Sequence, residues 1–402
     1  MPSDKLSLLI TAKGEDAPGI TSSLTSIIAE AEVEILDIEQ VVIHNLLTLS
    51  ILVELNEKEK KPLLSDLLYR SRELNLDLDF RLITDQDTII NRSPVNTYVI
   101  TCLGDHIPTK AIASIADTLF KNSMNIEKVG KLAWGQLCCL EISASAQRQI
   151  SPKELTGHLL DISHENNIDI AVQLESIYRK SKRMVFIDMD STLIQVEVID
   201  ELAALAGVKD KVEAITERAM NGEMDFQKSL MERVALLKGL TIEDLSTVYN
   251  SILLTQGAEN LIKALKQLGY KTAVISGGFD YFTERFKQRL GLDYAFSNRL
   301  EIVDGRLTGK VVGKIVDGAR KARLLEKICN REGISTDQVI AIGDGANDLP
   351  MLGKAGLGIA FNAKKVVREA ADYSISHHSL DSILYLLGIK ESDLKEMKLR
   401  EV

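Results

Sequence analysis

The chain has 402 residues, and because one hydrophobic core rarely serves so many, two or three domains are expected. Hydrophobic residues make up 45% of it and charged residues 26%, the balance of a soluble globular protein. The net charge of −10 argues against binding to nucleic acid or to an anionic membrane.

The first part of the chain alternates between strand and helix patterns in the order βαββαβ, which is typical of a ferredoxin-like unit. Strands are predicted near 6–11, 33–44, 48–55 and 77–83, and helices near 20–31 and 60–74. The same order then repeats, with strands near 96–103, 126–132, 137–143 and 169–175 and helices near 109–122 and 152–166. Pro18 and Pro108 hold corresponding loop positions, which indicates an internal duplication. We therefore predict two domains, at 1–90 and 91–178.

The basic run Arg179–Arg183 follows, and we interpret it as a solvated linker to a third domain at 184–390. In that domain, strands near 184–187, 272–276, 339–343 and 358–360 alternate with helices, which predicts an α/β fold with a doubly wound parallel sheet. A long helical block at about 198–255 separates the first two strands. A block of that size is expected to lie as a cap over the strand ends.

Three polar clusters each follow a predicted strand, and they include Asp188-Met189-Asp190, Ser276-Gly277 and Gly343-Asp344. Ligands of open α/β sheets bind at the carboxyl ends of the strands, so these clusters should converge. Grouped carboxylates repel one another unless a cation lies among them, and oxygen ligands without His or Cys favour Mg²⁺. An aspartate can attack phosphorus, and a second one nearby can act as acid and base. The pattern predicts magnesium-dependent phosphoryl chemistry.

The runs DMDST, SGGF and GDGANDLPML, with a lysine between the last two, resemble the haloacid dehalogenase superfamily over about residues 184–388. The resemblance is closest to members that hydrolyse phosphoserine. It implies that Asp188 is the nucleophile and Asp190 the general acid and base. It also implies that Ser276, Gly277 and Lys321 hold the phosphoryl group, although Arg320 and Arg323 lie beside that lysine.

The same resemblance implies a Mg²⁺ site. Asp188 and Asp344 would ligate the ion directly, Asp190 would do so through its backbone carbonyl, and Asp348 would support the site. Asn347 would contact the substrate or its phosphate.

Specificity is implied to come from the cap. Glu197 matches the position that receives the substrate ammonium, and Arg233 matches the one that binds its carboxylate, for which a guanidinium fork is suited. Met220 and Phe226 match apolar positions that close over the substrate and exclude water. Together they imply O-phospho-L-serine as the substrate and L-serine and phosphate as products, the last step of serine biosynthesis.

Each βαββαβ unit resembles an ACT domain, a module that usually senses amino acids. The loop containing Asp16 and Gly19 fits that family's ligand-binding turn, where helix amides can hold a carboxylate. The second copy has Thr109 in place of Gly19, which puts ligand binding there in doubt. The resemblance implies serine as the effector and a homodimer, although the modules could serve only as dimerisation scaffolds.

Two alternatives to hydrolysis remain open on the sequence. The phosphoryl group could pass to another hydroxyl amino acid such as homoserine. The chain could also be an amino-acid-sensing regulatory protein with an inactive phosphatase domain, a reading that the intact acidic set disfavours.

The four cysteines form no CxxC pair and lack the spacing of a zinc site, so we expect buried thiols in a reducing compartment. No signal-peptide pattern begins the chain, and no apolar run reaches about 18 residues. We therefore expect a cytoplasmic protein without membrane spans.

Overall fold

The structure is a computed structural model that describes residues 5–83, 96–135, 137–220, 223–371, 373–376 and 379–399. The chain forms two compact units, residues 1–94 and 95–402. The first unit contains the first βαββαβ module, and the second unit contains the second module together with the catalytic domain.

The first module is a four-stranded antiparallel sheet with two helices. Its strands are β1 (Lys5–Glu15), β2 (Glu34–Ile43), β3 (Leu46–Asn56) and β4 (Asp77–Ile83), and its helices are Ile20–Glu30 and Glu57–Glu73. The strand order β2-β3-β1-β4 is that of a ferredoxin-like fold, as predicted. Alternate residues of β3, such as Leu49, Ile51 and Val53, point into the core because side chains of a strand alternate between its two faces.

The second module repeats this architecture. Its strands are β5 (Asn96–Gly104), β6 (Asn125–Ala133), β7 (Cys138–Ala146) and β8 (Asp169–Leu174), and its helices are Thr109–Lys121 and Pro152–Asn166. The order β6-β7-β5-β8 matches that of the first module, which confirms the predicted duplication of the fold. The Tyr98 hydroxyl, fully buried, donates to the Ile150 carbonyl and accepts from the Ile150 amide at 2.8 Å, and so fixes the loop before the second helix.

The catalytic domain contains a seven-stranded sheet in the order β12-β11-β10-β9-β13-β14-β15. Its strands are β9 (Met184–Ile187), β10 (Lys271–Phe279), β11 (Tyr294–Val303), β12 (Arg306–Val312), β13 (Val339–Gly343), β14 (Leu357–Phe361) and β15 (Tyr373–Ile375). The parallel, doubly wound prediction is confirmed for β9 to β11 and β13 to β15. It misses β12, which pairs antiparallel with β11 through the turn at Asp304-Gly305, where both residues have positive φ.

The helices of this domain cover both faces of the sheet and fill the segment between β9 and β10. In that segment lie Val198–Leu205, Lys209–Met220, Phe226–Leu236, Ile242–Ser251 and Ala258–Gln267. The α-helices after β10 are Asp280–Leu290, Gly318–Glu332, Leu349–Leu352, Lys365–Ala370, Ile383–Leu386 and Glu391–Glu396. None of the helices described is long and apolar enough to cross a membrane.

The second module and the catalytic domain share one hydrophobic core. Leu103, Cys139 and Ala171 of the module pack in the same cluster as Ile359 and Tyr385 of the catalytic domain. All four cysteines are buried free thiols, as predicted.

The basic run at 179–183 is not a uniformly solvated linker, and that prediction is wrong for two of its residues. Arg179 is 3% exposed and pairs with Glu141 and Glu175, while Lys182 is 7% exposed and donates to the Asp337 carbonyl at 2.6 Å. Because each buried cation has a partner, the run ties the second module to the base of the catalytic sheet.

Candidate active site

Three parallel strands place the polar clusters at one edge of the sheet. β9 is central, with β10 on one side and β13 on the other, and Ile187 lies in register with Val274 and Ile342. Asp188, Ser276 and Asp344 therefore emerge close together, as the strand-end argument predicts. The four residues of β9 are fully buried, which anchors this edge in the core.

The turn after β9 points two carboxylates into the site. The Asp188 carboxylate accepts a hydrogen bond from the Met189 amide at 2.8 Å, which fixes its direction. Ser191 in the same turn has φ 54°, a conformation uncommon for a residue with a side chain. Such local strain is often found at functional sites because the surrounding structure has to hold it.

Lys321 joins two of the acidic residues. Its Nζ lies 2.8 Å from Asp188 Oδ1 and 2.6 Å from Asp348 Oδ1, and the lysine is fully buried. Burial alone would lower the pKa of Lys321, but the two carboxylates outweigh it and raise that pKa. The ammonium therefore stays charged and supplies a fixed cation beside Asp188.

Asp190 is held by different partners. Its Oδ1 accepts from the Val198 amide at 2.9 Å, and its Oδ2 accepts from the Ser276 hydroxyl at 2.8 Å. Burial, with a contribution from the charge of Glu197, raises the pKa of Asp190 to about 7. A carboxyl that titrates near neutrality can both give and take a proton at working pH.

Asp188, Asp344 and Asp348 form a group in which one oxygen of each lies within 4.8 Å of the others. Burial, then the charge of Asp348, raises the pKa of Asp188 and raises that of Asp344 to about 6. This mutual repulsion and the all-oxygen donor set fit a hard divalent cation such as Mg²⁺. The Asp190 carboxylate lies outside this group, so its side chain is not one of these donors.

Two glycines let the carboxylates approach the backbone. A Cβ on Gly278 would lie 2.6 Å from Asp190 Oδ2, and one on Gly343 would lie 2.5 Å from the Asp348 carboxyl carbon. Any side chain at either position would displace a carboxylate. Gly278 and Gly343 are thus required by packing.

The cap residues line the approach to this group. Glu197 accepts from the Ser191 hydroxyl at 2.8 Å and is exposed, while the half-buried Arg233 contacts the Ser229 carbonyl at 3.3 Å and the Thr216 hydroxyl at 3.4 Å. Burial lowers the pKa of Arg233, and the charges of Asp200, Glu197 and Asp190 act against that shift.

The remaining predicted contacts are placed as follows. Phe226 begins a cap helix, and its ring lies 3.2 Å from where a Gly277 Cβ would be. Asn347 is partly buried in the turn between Asp344 and Asp348. The Met220 side chain lies outside the described part of the chain.

The sequence analysis assigned no role to four polar residues around the site, Thr192, Asn298, Gln227 and Asp317. Thr192 donates to Asp344 at 3.0 Å, Asn298 binds the Gly277 carbonyl at 2.7 Å, and Gln227 of the cap donates to Asp317 at 2.9 Å. Thr192 stands inside the first cluster and could have been found there. The other three belong to no cluster, and only the fold brings them to the site.

In the first module, Gly19 has φ 96° and precedes the helix Ile20–Glu30, which has no side-chain cap. Asp16 lies in the same loop and its amide donates to the Asn45 carbonyl at 2.8 Å. In the second module the helix already begins at Thr109, after Pro108. The two loops therefore differ in conformation at the position where the sequence departs.

Comparison with known proteins places this site in a family. Residues 182–356 match haloacid dehalogenase-like hydrolases, and residues 7–81 and 96–173 each match an ACT domain. A phosphoserine phosphatase of Streptomyces coelicolor is 42% identical over 98% of this chain and 95% of its own length. Phosphoserine phosphatase SerB2 of Mycobacterium tuberculosis is 41% identical over 97% of this chain and 95% of its own.

A solved structure agrees with the fold. A haloacid dehalogenase family hydrolase from Salmonella enterica serovar Typhi superposes with a TM-score of 0.65 at 34% identity, over 72% of this chain and 98% of that one. Because the similarity to the two full-length relatives extends over both modules and the catalytic domain, the chain belongs to the phosphoserine phosphatase family of haloacid dehalogenase-like hydrolases, with two ACT domains before the catalytic domain.

Proposed function

We propose that this chain hydrolyses O-phospho-L-serine to L-serine and phosphate through an aspartyl phosphate on Asp188, as a Mg²⁺-dependent phosphoric monoester hydrolase of serine biosynthesis. The observation that carries the proposal is the buried Lys321 ammonium, which contacts both Asp188 and Asp348 beside the hydrogen-bonded Asp190. This arrangement supplies a nucleophile, a fixed cation and a separate acid in one site.

In the first step a carboxylate oxygen of Asp188 attacks phosphorus, and the bond between phosphorus and the serine oxygen breaks. Because its pKa is raised to about 7, Asp190 carries a proton in part of the molecules at neutral pH, and it gives this proton to the departing serine oxygen. Lys321 and the amide of Gly277 stabilise the oxygens of the transferring group.

In the second step Asp190, now ionised, takes a proton from water as the water oxygen attacks the phosphorus of the acyl phosphate. The bond between phosphorus and the Asp188 oxygen breaks, which releases inorganic phosphate and restores the carboxylate. Ser276, whose hydroxyl donates to Asp190 Oδ2, holds that carboxylate in place through both steps.

Asp188, Asp344 and Asp348, with the backbone carbonyl of Asp190, would hold Mg²⁺. The ion would neutralise the repulsion among the carboxylates and the charge of the phosphoryl oxygens. The raised pKa values of Asp188 and Asp344 support this assignment, because both carboxylates are costly to ionise without a cation.

Glu197 and Arg233 would recognise the two charges of the amino acid. Arg233 is half-buried, and within the described part of the chain its guanidinium contacts a carbonyl and a hydroxyl oxygen, which leaves donors for a carboxylate. Glu197 would receive the ammonium, Met220 and Phe226 would exclude water, and Asn347 would contact the phosphate. The opposite charges suit a zwitterion better than a simple alkyl phosphate.

The test is phosphate release from phosphoserine with and without Mg²⁺, for the wild type and Asp188→Asn. We expect cation-dependent release that the substitution abolishes. Substantial turnover by the variant would overturn the assignment of the nucleophile. Homoserine added to the wild type would reveal phosphotransfer, since a phosphorylated homoserine would then appear beside inorganic phosphate.

We further propose that the first module binds an amino-acid effector, serine, at the turn of Asp16 and Gly19. The helix that follows Gly19 has no acidic residue in its first turn and no side-chain cap, so its amides can receive a carboxylate. Calorimetry with L-serine on a protein that carries Arg233→Ala, which weakens binding of serine at the active site, should detect heat, and the further change Gly19→Ala should abolish it. Its persistence in that variant would reject this site.

We also propose a homodimer that forms through the first module, in the cytoplasm, without nucleic-acid or membrane partners. Every residue of the edge strand β2 is exposed, and apolar ones such as Ile38, Val41 and Ile43 are 45–63% exposed. Exposed apolar edge strands readily pair with another chain. Val41→Lys should convert the dimer to a monomer in analytical ultracentrifugation, whereas Phe120→Lys, at an apolar residue of the second module that is 78% exposed, should not.

The domain boundaries that accompany this proposal are 1–90, 91–178 and 184–390, with the cap at about 198–255.

A further inference from the structure

The segment of β10 that contains Ser276 and Gly277, which we call the phosphate-binding loop, departs from the strand ladder. Ile275 pairs with Phe296 of β11, and the next pair is Phe279 with Asn298. Three residues of β10, 276–278, thus stand opposite one residue of β11. The loop that contains Ser276 and Gly277 is a bulge, and its backbone needs partners from outside the ladder.

Asn298 supplies one of these partners. Its Nδ2 donates to the Gly277 carbonyl at 2.7 Å, and its Oδ1 accepts from the Val316 amide at 2.7 Å. The side chain is 1% exposed, so water cannot replace either bond. Val316 directly precedes Asp317, which caps the helix Gly318–Glu332 that carries Lys321. One buried amide thus contacts the two segments that hold the phosphoryl group.

The peptide between Gly277 and Gly278 is fixed at both ends. Its carbonyl accepts from Asn298, and its N–H, which belongs to Gly278, donates to the Ser276 hydroxyl oxygen at 2.7 Å. The Ser276 hydroxyl in turn donates to Asp190 at 2.8 Å. Rotation of this peptide would break its bonds to Asn298 and to the Ser276 hydroxyl, and that hydroxyl in turn orients the Asp190 carboxylate.

We propose that Asn298 is a positioning residue for phosphoryl transfer, which orients the Gly277–Gly278 peptide and, through Val316, keeps the phosphate-binding loop in register with the helix of Lys321. The inference rests on the proposed phosphatase function. Asn298 itself touches neither substrate nor cation, and its effect is on the geometry of the groups that do.

Two substitutions and a matched control test this role. Asn298→Asp keeps an acceptor for Val316 but cannot donate to Gly277 when ionised. Asn298→Ser removes both bonds without adding a charge, and so serves if the aspartate variant does not fold. Ser297→Ala is the control. Ser297 is the neighbouring residue of β11, and the change removes a hydroxyl that lies 2.7 Å from the Thr283 hydroxyl.

The measurement is kcat and KM at a temperature at which circular dichroism shows each variant folded, with phosphoserine and with p-nitrophenyl phosphate. Since the loop contacts the phosphoryl group common to both substrates, kcat should fall by the same factor for both, about 10- to 100-fold. Ser297→Ala should keep the kcat of the wild type. A purely structural role would lower the melting temperature and leave kcat per folded molecule unchanged.

Three results would overturn the inference: unchanged kcat in a folded Asn298 variant, an equal loss in Ser297→Ala, or a loss confined to phosphoserine. The second substrate also separates this inference from the proposed specificity. If the wild type hydrolyses p-nitrophenyl phosphate but not phosphoserine, the proposed substrate is wrong, and the Asn298 comparison still stands on the generic ester.

Discussion

Replacement of Asp344 by Asn should stabilise the metal-free protein while it removes the response to cations. Asp344 shares a small volume with Asp188 and Asp348, and burial followed by the charge of Asp348 raises its pKa to about 6. Above that pH the ionised carboxylate destabilises the folded state. An asparagine has the same shape, carries no charge, and can still accept the hydrogen bond from Thr192.

The expected gain follows from the shift in pKa. Between the ordinary value of 3.8 and about 6 lie about two pKa units, which correspond to roughly 3 kcal/mol at about 1.4 kcal/mol per unit. Because Asp344 is partly exposed, solvent screening reduces this figure. We therefore expect about 1–2 kcal/mol at pH 7.5, or a rise of about 1–3 °C in the melting temperature of a unit of this size.

The assay is thermal unfolding at pH 7.5 in EDTA and in excess Mg²⁺. The wild type should gain stability from the cation by mass action, and Asp344→Asn should start higher and gain little. Asp244→Asn is the control, since hydrogen bonds from Thr241 hold the pKa of that distant carboxyl below its usual value. Lower stability of Asp344→Asn in EDTA, or a full response to Mg²⁺, would refute the assignment of the repulsive cation site.

Three further predictions concern the same site. Arg233→Ala should reduce kcat/KM for phosphoserine by about 100-fold, because a charge-assisted pair is lost, and should change that for p-nitrophenyl phosphate little. Arg218→Ala, at an exposed residue of the cap, is the control and should alter neither value. Equal losses for both esters would contradict the role of Arg233 in specificity. In EDTA, the free energy of unfolding should fall as the pH rises from about 4 to about 7. The folded-state pKa of Asp190 is raised to about 7, so in that window the folded protein binds a proton that the unfolded chain has lost. Asp190→Asn should flatten this pH dependence, and an unaltered slope in urea titrations would count against the raised pKa. Gln227→Ala should raise KM for both esters by about threefold to tenfold, because the hydrogen bond to Asp317 that it removes contributes about 1 kcal/mol. An unchanged KM would show that this contact does not hold the cap closed.

Asp188 and Asp344 could be predicted because each directly follows a buried strand, and the ends of parallel strands meet by geometry. Lys321 was harder to single out, since Arg320 and Arg323 flank it. Its helix nevertheless carries a readable signal: Lys321 shares the buried face with Leu325 and Ile328, three or four residues apart. A lysine on an apolar face needs a buried carboxylate, and Asp188 and Asp348 provide two.

The errors have separate causes. The basic run looked solvated because a run of like charges usually lies on the surface, but Arg179 pairs both with the nearby Glu175 and with Glu141, 38 residues earlier. The antiparallel pairing of β12 depends on a tight turn after β11, which the alternating βα pattern does not reveal. Asn298 escaped notice because no local motif marks a side chain that completes the backbone bonds of another strand.

The burial of that basic run gives the two similar modules different physical roles. Lys182 donates to the Asp337 carbonyl and the Arg183 amide donates to the Gln338 carbonyl at 2.8 Å, immediately before β9 begins. The second module is therefore attached at the start of β9, the strand that precedes Asp188, and its sheet shares the core of the catalytic domain. The first module has its own core and forms a separate unit. Because the first module also keeps the Gly19 turn, we propose it, rather than the second module, as the amino-acid sensor.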